Sequence, residues 1–194
     1  MRFPSLIALV SAAACALAQD TDINEVVSAF TAANIPANFN IRFNPTALLQ
    51  ATFTRNGVAT TFKSGQQVNR DATQLVPSFK VTGVTDPGPY VIANVDPDGG
   101  QFGHVRHYLA GNFQLTGSDL RNTSAPVTAW FQPSPGAGQP AHRYVFWLFK
   151  QSANFNQQRL VTPTTFIGNW NLSSFAAQTG LGDPIAATFM YVRQ

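Results

Sequence analysis

The chain has 194 residues, with 12 Lys and Arg against 9 Asp and Glu and a formal net charge of +3. Only 11% of it is charged, against about a quarter in an average globular protein, and no Lys/Arg cluster occurs, which argues against a nucleic-acid partner or a polybasic membrane surface. With 16 Phe and many Thr, Asn and Gln, the composition is that of a secreted β protein with an uncharged polar surface over an aromatic core.

The N-terminus reads as a leader. Arg2 precedes an apolar run, Leu6–Val10 and Ala12–Leu17, broken only by Ser11, and Ala16 and Ala18 supply small residues at the −3 and −1 positions of a cleavage site. That is the layout of a secretory signal peptide cleaved near Ala18-Gln19. The run is shorter than the roughly 20 residues a membrane helix needs, and no other stretch is longer, so no transmembrane segment is expected. Residues 1–18 are thus assigned to a signal peptide and residues 19–194 to one domain, long enough to bury a core. The single cysteine, Cys15, falls in the leader, so the secreted domain is expected to fold without disulfides. Two sequons, Asn122-Thr123-Ser124 and Asn171-Leu172-Ser173, make Asn122 and Asn171 candidate N-glycan acceptors.

Asp22–Ala33 reads as a helix with Asp22 as N-cap, Glu25 at capping-box spacing, Val26, Val27 and Phe30 as its apolar stripe and Pro36 as its stop. From Phe39 the pattern changes to short β-type runs between Gly, Pro and Asn: 39–43, 48–54, 58–63, 78–84, 90–95, 104–113, 127–131, 142–150 and 185–193. Tyr90–Val95 and Tyr144–Phe149 are apolar on both faces, which predicts positions in the middle of a sheet. Asn171–Gly180 reads as a second helix, N-capped by Asn171 and C-capped by Gly180. The expected fold class is mainly β: a β-sandwich or mixed-sheet core of two sheets with a few peripheral short helices.

Chemistry concentrates in three segments. In Asn94-Val95-Asp96-Pro97-Asp98-Gly99-Gly100 an apolar strand stops abruptly at an acidic turn, and taken alone this is ordinary turn composition. In His104-Val105-Arg106-His107-Tyr108-Leu109, strand alternation puts His107 and Leu109 on one face and Arg106 and Tyr108 on the other. A lone strand histidine is more often structural than functional. In the third segment, Pro133 through Tyr144, a Pro/Gly loop enters a buried strand on which His142 and Tyr144 share a face.

In order along the chain these pieces resemble the phosphatidylethanolamine-binding protein family. Asp96-Pro97-Asp98 is similar to its Asp-Pro-Asp-x-Pro motif, His107-Tyr108-Leu109 to its His-His-Phe/Tyr-Leu strand, and Pro135 through His142-Arg143-Tyr144 to its Gly-x-Pro loop ending in His-Arg-Tyr. Phe166, Asn171–Phe175 and Gly182–Thr188 resemble the last helix and last strand, so the likeness spans about residues 22–193. The resemblance implies a two-sheet β fold with a small pocket for phosphoryl headgroups and other small anions, lined here by Asp96, Asp98, His107, Pro135, His142 and Tyr144. His107, His142 and Tyr144 would donate to the anion, loop amides around Ser134–Gly136 would form an anion-binding concavity, and Asp96 would orient a histidine or face an ammonium.

The sequence also departs from the family pattern. Gly100 replaces a second Pro, which predicts a less rigid loop, and Arg106 replaces the first His of the pair. The segment between Asp98 and His107 is short, which cuts back the rim, and Ser134 and Gly136 replace Gly and Pro. Three function classes follow: a small-ligand or phospholipid-headgroup binding protein; a secreted inhibitor of a serine carboxypeptidase or other protease, acting by protein–protein contact; and an enzyme. Binding leads. No Ser or Cys stands beside a base as an identifiable nucleophile, and no His-Glu-x-x-His metal signature occurs, so neither catalytic residues, a metal site nor a cofactor is assigned.

Overall fold

The structure, a computed structural model, describes residues 19–194. The leader assigned to residues 1–18, with Cys15, lies outside the described residues.

Helix α1 spans Ile23–Ala32, and Asp22 caps it by accepting from the Asn24 amide at 2.8 Å. Pro36 does more than stop α1: it stands in the first turn of a second short helix, α2 (Ile35–Phe39), where its missing N–H costs nothing. The strand expected over residues 39–43 does not form. Asn34 and Asn40 take left-handed backbone angles, and Phe39 and Phe43 instead pack edge-on against Trp147 at 5.3 and 5.6 Å between ring centroids.

Nine strands follow among the described residues: β1 (Leu48–Arg55), β2 (Val58–Thr61), β3 (Gln66–Asn69), β4 (Ser78–Thr82), β5 (Tyr90–Asp96), β6 (Val105–Thr116), β7 (Asp119–Asn122), β8 (His142–Lys150) and β9 (Ala186–Arg193). Helix α3 (Leu172–Thr179) lies between β8 and β9, with the Asn171 side chain accepting from Ser174 N–H and Gly180 left-handed at its end, as the capping residues predict. The strands form one sheet in the order β2-β1-β4-β7-β6-β5-β8-β9-β3, with β5 and β8 in its interior.

The two-sheet sandwich expected from the sequence is therefore corrected to a single curled sheet. The reason is β6 and β7. β6 is long enough to pair with β5 along its first part and with β7 along its last, and β7 also pairs with β4. This short polar arm, which periodicity does not pick out, stitches the two halves together. The curl still closes over a core. Phe146 of β8 meets Phe79 of β4 at 5.7 Å and Phe53 of β1 at 6.4 Å, although neither strand neighbours β8 in the sheet. A second core lies on the other face, where Val91, Val95, Trp147 and Phe149 are covered by Val26 and Phe30 of α1 and Phe175 of α3. Residues 127–131 make a single bridge, Leu109 with Thr128, and not a strand.

Candidate functional site

β5 is buried along its whole length and ends on a carboxylate, Asp96. β8, antiparallel beside it, begins at His142. Alternation points Tyr90, Ile92, Asn94 and Asp96 to the same face as His142, Tyr144, Phe146 and Leu148. Asp96, His142 and Tyr144 thus meet where the enclosed core runs out, and there a cavity of about 680 Å³ opens. Loops 98–102, 131–136 and 166–168 complete its walls.

Asp96 uses both carboxylate oxygens. Oδ1 accepts the Asp98 amide at 2.7 Å, closing the turn over Pro97, and Oδ2 accepts His142 Nδ1–H at 2.9 Å. It thus acts through His142, fixing the imidazole so that Nε2 is left for a ligand. Tyr144 is 1% exposed. Burial first, and then the Asp96 charge, push its hydroxyl well above the ordinary tyrosine value, so it keeps its proton and is a hydrogen-bond donor.

His107 reaches the cavity through a break in alternation. Asn94 pairs with Tyr108 but Val95 pairs with Arg106, so His107 is an extra residue, a β-bulge. The face assignment made from strict alternation is corrected accordingly. Tyr108 shares the enclosed core with Tyr90 and Ile92, Leu109 faces the helix side, and His107 turns toward Tyr144, ring centroids 5.0 Å apart. His107 Nδ1 lies 2.8 Å from the Phe131 carbonyl. A carbonyl only accepts, so Nδ1 carries the proton and Nε2 of the neutral ring is an acceptor. Burial lowers the His107 pKa below the ordinary histidine value, with the Phe131 carbonyl and Asp96 opposing. The donor role expected for His107 therefore requires protonation that its surroundings resist.

Asp98 borders the cavity, but its carboxylate is committed elsewhere. It receives Arg143 Nε and the Arg143 backbone N–H on Oδ2 at 2.9 and 2.8 Å and Arg143 Nη2 on Oδ1. Arg143 continues to the Ala33 carbonyl and to Asn38 Oδ1, tying the α1–α2 corner to the strand end. Burial alone would raise the Asp98 pKa, but the Arg143 hydrogen bonds and charge outweigh it and hold the carboxyl below its usual range. Pro135 is buried and does not reach the cavity surface; its neighbours Ser134 and Gly136 do. Residue type alone did not single out Arg143, or Arg70, whose Nε donates to the Pro133 carbonyl at 3.0 Å and holds the loop.

The departures from the family pattern have structural readings too. Gly100 has φ +59°, a region closed to proline, whose ring locks φ near −65°. Its loop is a one-turn 3-10 segment closed by Phe102 N–H to the Gly99 carbonyl and Gly103 N–H to the Gly100 carbonyl. Arg106 points away from His107, as alternation suggests, and is wholly buried. Nε donates to Thr128 Oγ1 at 2.7 Å, Nη2 to the Thr165 carbonyl at 3.1 Å, and the guanidinium lies 5.1 Å from the Trp170 ring centre. Burial lowers its pKa to about 10, so it stays charged at neutral pH, behind the cavity wall. Of the sequon residues, Asn171 is exposed and Asn122 half-exposed.

Comparison with known proteins agrees with this arrangement. A 26 kDa secreted antigen of Toxocara canis is 32% identical over 146 residues, 68% of this chain, and the chain spans about half of that protein's length, 54%. CEN-like protein 1 of Nicotiana tabacum is 25% identical over 169 residues, covering 86% of this chain and 92% of the relative. Among solved structures, carboxypeptidase Y inhibitor in complex with its cognate proteinase superposes with a TM-score of 0.73 at 15% identity, covering 88% and 96% of the two chains. The phosphatidylethanolamine-binding protein of Plasmodium vivax gives 0.70 at 14% identity, covering 87% and 97%. The sequence profile described as phosphatidylethanolamine-binding protein matches residues 40–190, a span that contains every cavity residue named above, and the chain belongs to that family.

Proposed function

We propose that this is a secreted binding protein whose cavity takes a small ligand with a phosphoryl-type headgroup. The observation that carries the reading is the Asp96–His142–Tyr144 cluster at the cavity floor. Its Asp96–His142 hydrogen bond leaves His142 Nε2 for a ligand, and the buried Tyr144 hydroxyl keeps its proton beside it. His142 Nε2 can share a proton with a phosphoryl oxygen and Tyr144 can donate to another, in a recess where hydrogen bonds to an anion are stronger than in water. The fold and the family support binding rather than catalysis. Secretion rests on the leader pattern of residues 1–18 and on the name of the Toxocara relative. Calorimetric titration with phosphorylethanolamine tests the reading: saturable binding that His142→Ala abolishes is expected, and no binding by a folded wild-type protein would sink it.

A second reading draws on the fold shared with a carboxypeptidase Y inhibitor: inhibition of a serine carboxypeptidase or another protease by protein–protein contact. The two readings separate cleanly. Inhibition of carboxypeptidase Y that survives His142→Ala would move the function to the surface outside the cavity.

A further inference from the structure

One wall of the cavity is held from outside it. A 3-10 turn, Arg70–Thr73, follows the edge strand β3 and is capped by Asn69, whose side chain accepts the Asp71 N–H at 2.8 Å. Hydrogen bonds join this turn to residues 57 to 64 positions further along the chain. The Thr73 carbonyl accepts Trp130 Nε1 at 2.9 Å, and the Arg70 carbonyl accepts Gln132 Nε2 at 2.8 Å. The Arg70 guanidinium adds Nε to the Pro133 carbonyl at 3.0 Å and Nη2 to Ser134 Oγ at 3.4 Å. The turn is itself tied to β1, where Arg55 Nη1 donates to the Asp71 carbonyl at 2.8 Å. Arg70 is half-buried and is not one of the residues that line the cavity.

On its inner side the same loop touches two cavity residues. The Ser134 backbone N–H faces the Tyr144 hydroxyl. Phe131 brackets His107: its N–H donates to the His107 carbonyl and its own carbonyl meets His107 Nδ1, each at 2.8 Å. Residues 129–134 belong to no helix or strand, so no regular ladder holds them in place. A site whose support is about 1 Å too loose loses its grip on a ligand. We propose that Arg70 is a positioning residue of the cavity: it locks residues 131–134 so that Tyr144 and His107 meet a ligand in one arrangement. A guanidinium suits this task, because its planar fork of donors serves two successive residues, Pro133 and Ser134, where a lysine offers a single point charge. The inference rests on the headgroup reading above for its effect on binding, but not for its effect on the loop.

Three measurements on the wild-type protein and on Arg70→Ala test it: amide hydrogen exchange, the imidazole nitrogen signals of His107 by NMR, and calorimetric titration with phosphorylethanolamine. In Arg70→Ala, exchange across residues 130–136 should quicken at least about tenfold with the loss of two loop hydrogen bonds, while β5 and β8 keep their wild-type protection. The His107 signals should move, and headgroup affinity should fall about tenfold. Arg70→Lys, which keeps the charge but not the fork, should show the same changes in smaller measure, and it serves if Arg70→Ala fails to fold. Unchanged exchange over residues 130–136 overturns the proposal, as does faster exchange with unmoved His107 signals and undiminished affinity. Equal quickening across β5 and β8 overturns it too, since Arg70 would then serve general stability. A wild-type protein that binds no phosphorylethanolamine retires the headgroup reading alone, and the His107 signals then decide the positioning role.

Discussion

The middle of the β5–β8 pair and its cavity end are built from the same two strands, yet they solve opposite problems. In the middle, Val91–Val95 lies against Val145–Phe149 with almost every side chain wholly buried. Each apolar group there is covered by others. At the end, Asp96, His142 and Tyr144 replace the aliphatic and aromatic residues on the same face, and a bulge brings in His107. The hydrogen bonds there are made within the site, yet Nε2 of His142 remains uncommitted. Stability and recognition are thus separated by a few residues along one strand pair, and the Asp98–Arg143 pair closes the strand end beyond them.

The largest effect should come from the middle. Trp147 is wholly buried against Phe30, Phe39 and Phe43, so Trp147→Ala should cost about 3–5 kcal/mol in urea denaturation. A much smaller loss would mean that the helix-side core is not what holds α1 and α2.

Asp98→Ala comes next. Arg143 would lose its bidentate partner and the α1–α2 corner its anchor, at a cost of about 2–3 kcal/mol. If the variant were as stable as wild type but bound phosphorylethanolamine poorly, Asp98 would belong with the ligand and not with the clamp.

For His142→Ala the stability change should stay within about 1–2 kcal/mol, the cost of leaving Asp96 Oδ2 without its partner, while headgroup affinity falls at least about tenfold, the loss of one hydrogen bond to a charged group. A large stability loss from this substitution would erase the contrast between middle and end.

The smallest effect is in pH. Burial lowers the pKa values of both His104 and His107, so the unfolded chain takes up these protons first. Their contribution to stability is complete above the ordinary histidine value of about 6.5 and is lost as pH falls through the lowered folded values. Asp98, also lowered, contributes above about 3.9 and is lost only in stronger acid. Denaturation midpoints measured from pH 8 to 4 should therefore decline below about 6.5, and His104→Gln/His107→Gln should remove the upper part of that decline. An unchanged profile in the double variant would assign the decline to other groups.

The cavity residues themselves were readable because their positions follow from local rules. An apolar strand broken by Asp-Pro-Asp, and a histidine and a tyrosine two apart on a second such strand, place Asp96, His142 and Tyr144 on one face once the strands pair. Pro135 is buried while its neighbours Ser134 and Gly136 face the cavity, and nothing in a Pro/Gly loop tells which of its residues turns inward. Asp98 and Arg143 look alike from sequence whether they serve a ligand or a clamp, since the choice depends on Ala33 and Asn38, far away along the chain.

The chain's own pattern settled the helix caps at Asp22, Asn171 and Gly180, the central strands β5 and β8, and the β-rich class, because each depends on periodicity or on the backbone preference of a few neighbouring residues. Tertiary structure alone decided that the sheet is single and curled, that His107 sits on a bulge, and that Arg70 holds a loop of the cavity wall. In each case the deciding contact joins residues distant in sequence: β7 against β4, Val95 against Arg106, Arg70 against the Pro133 carbonyl. Such pairings leave no local signature, because their energy is realised only when the chain has already brought the partners together.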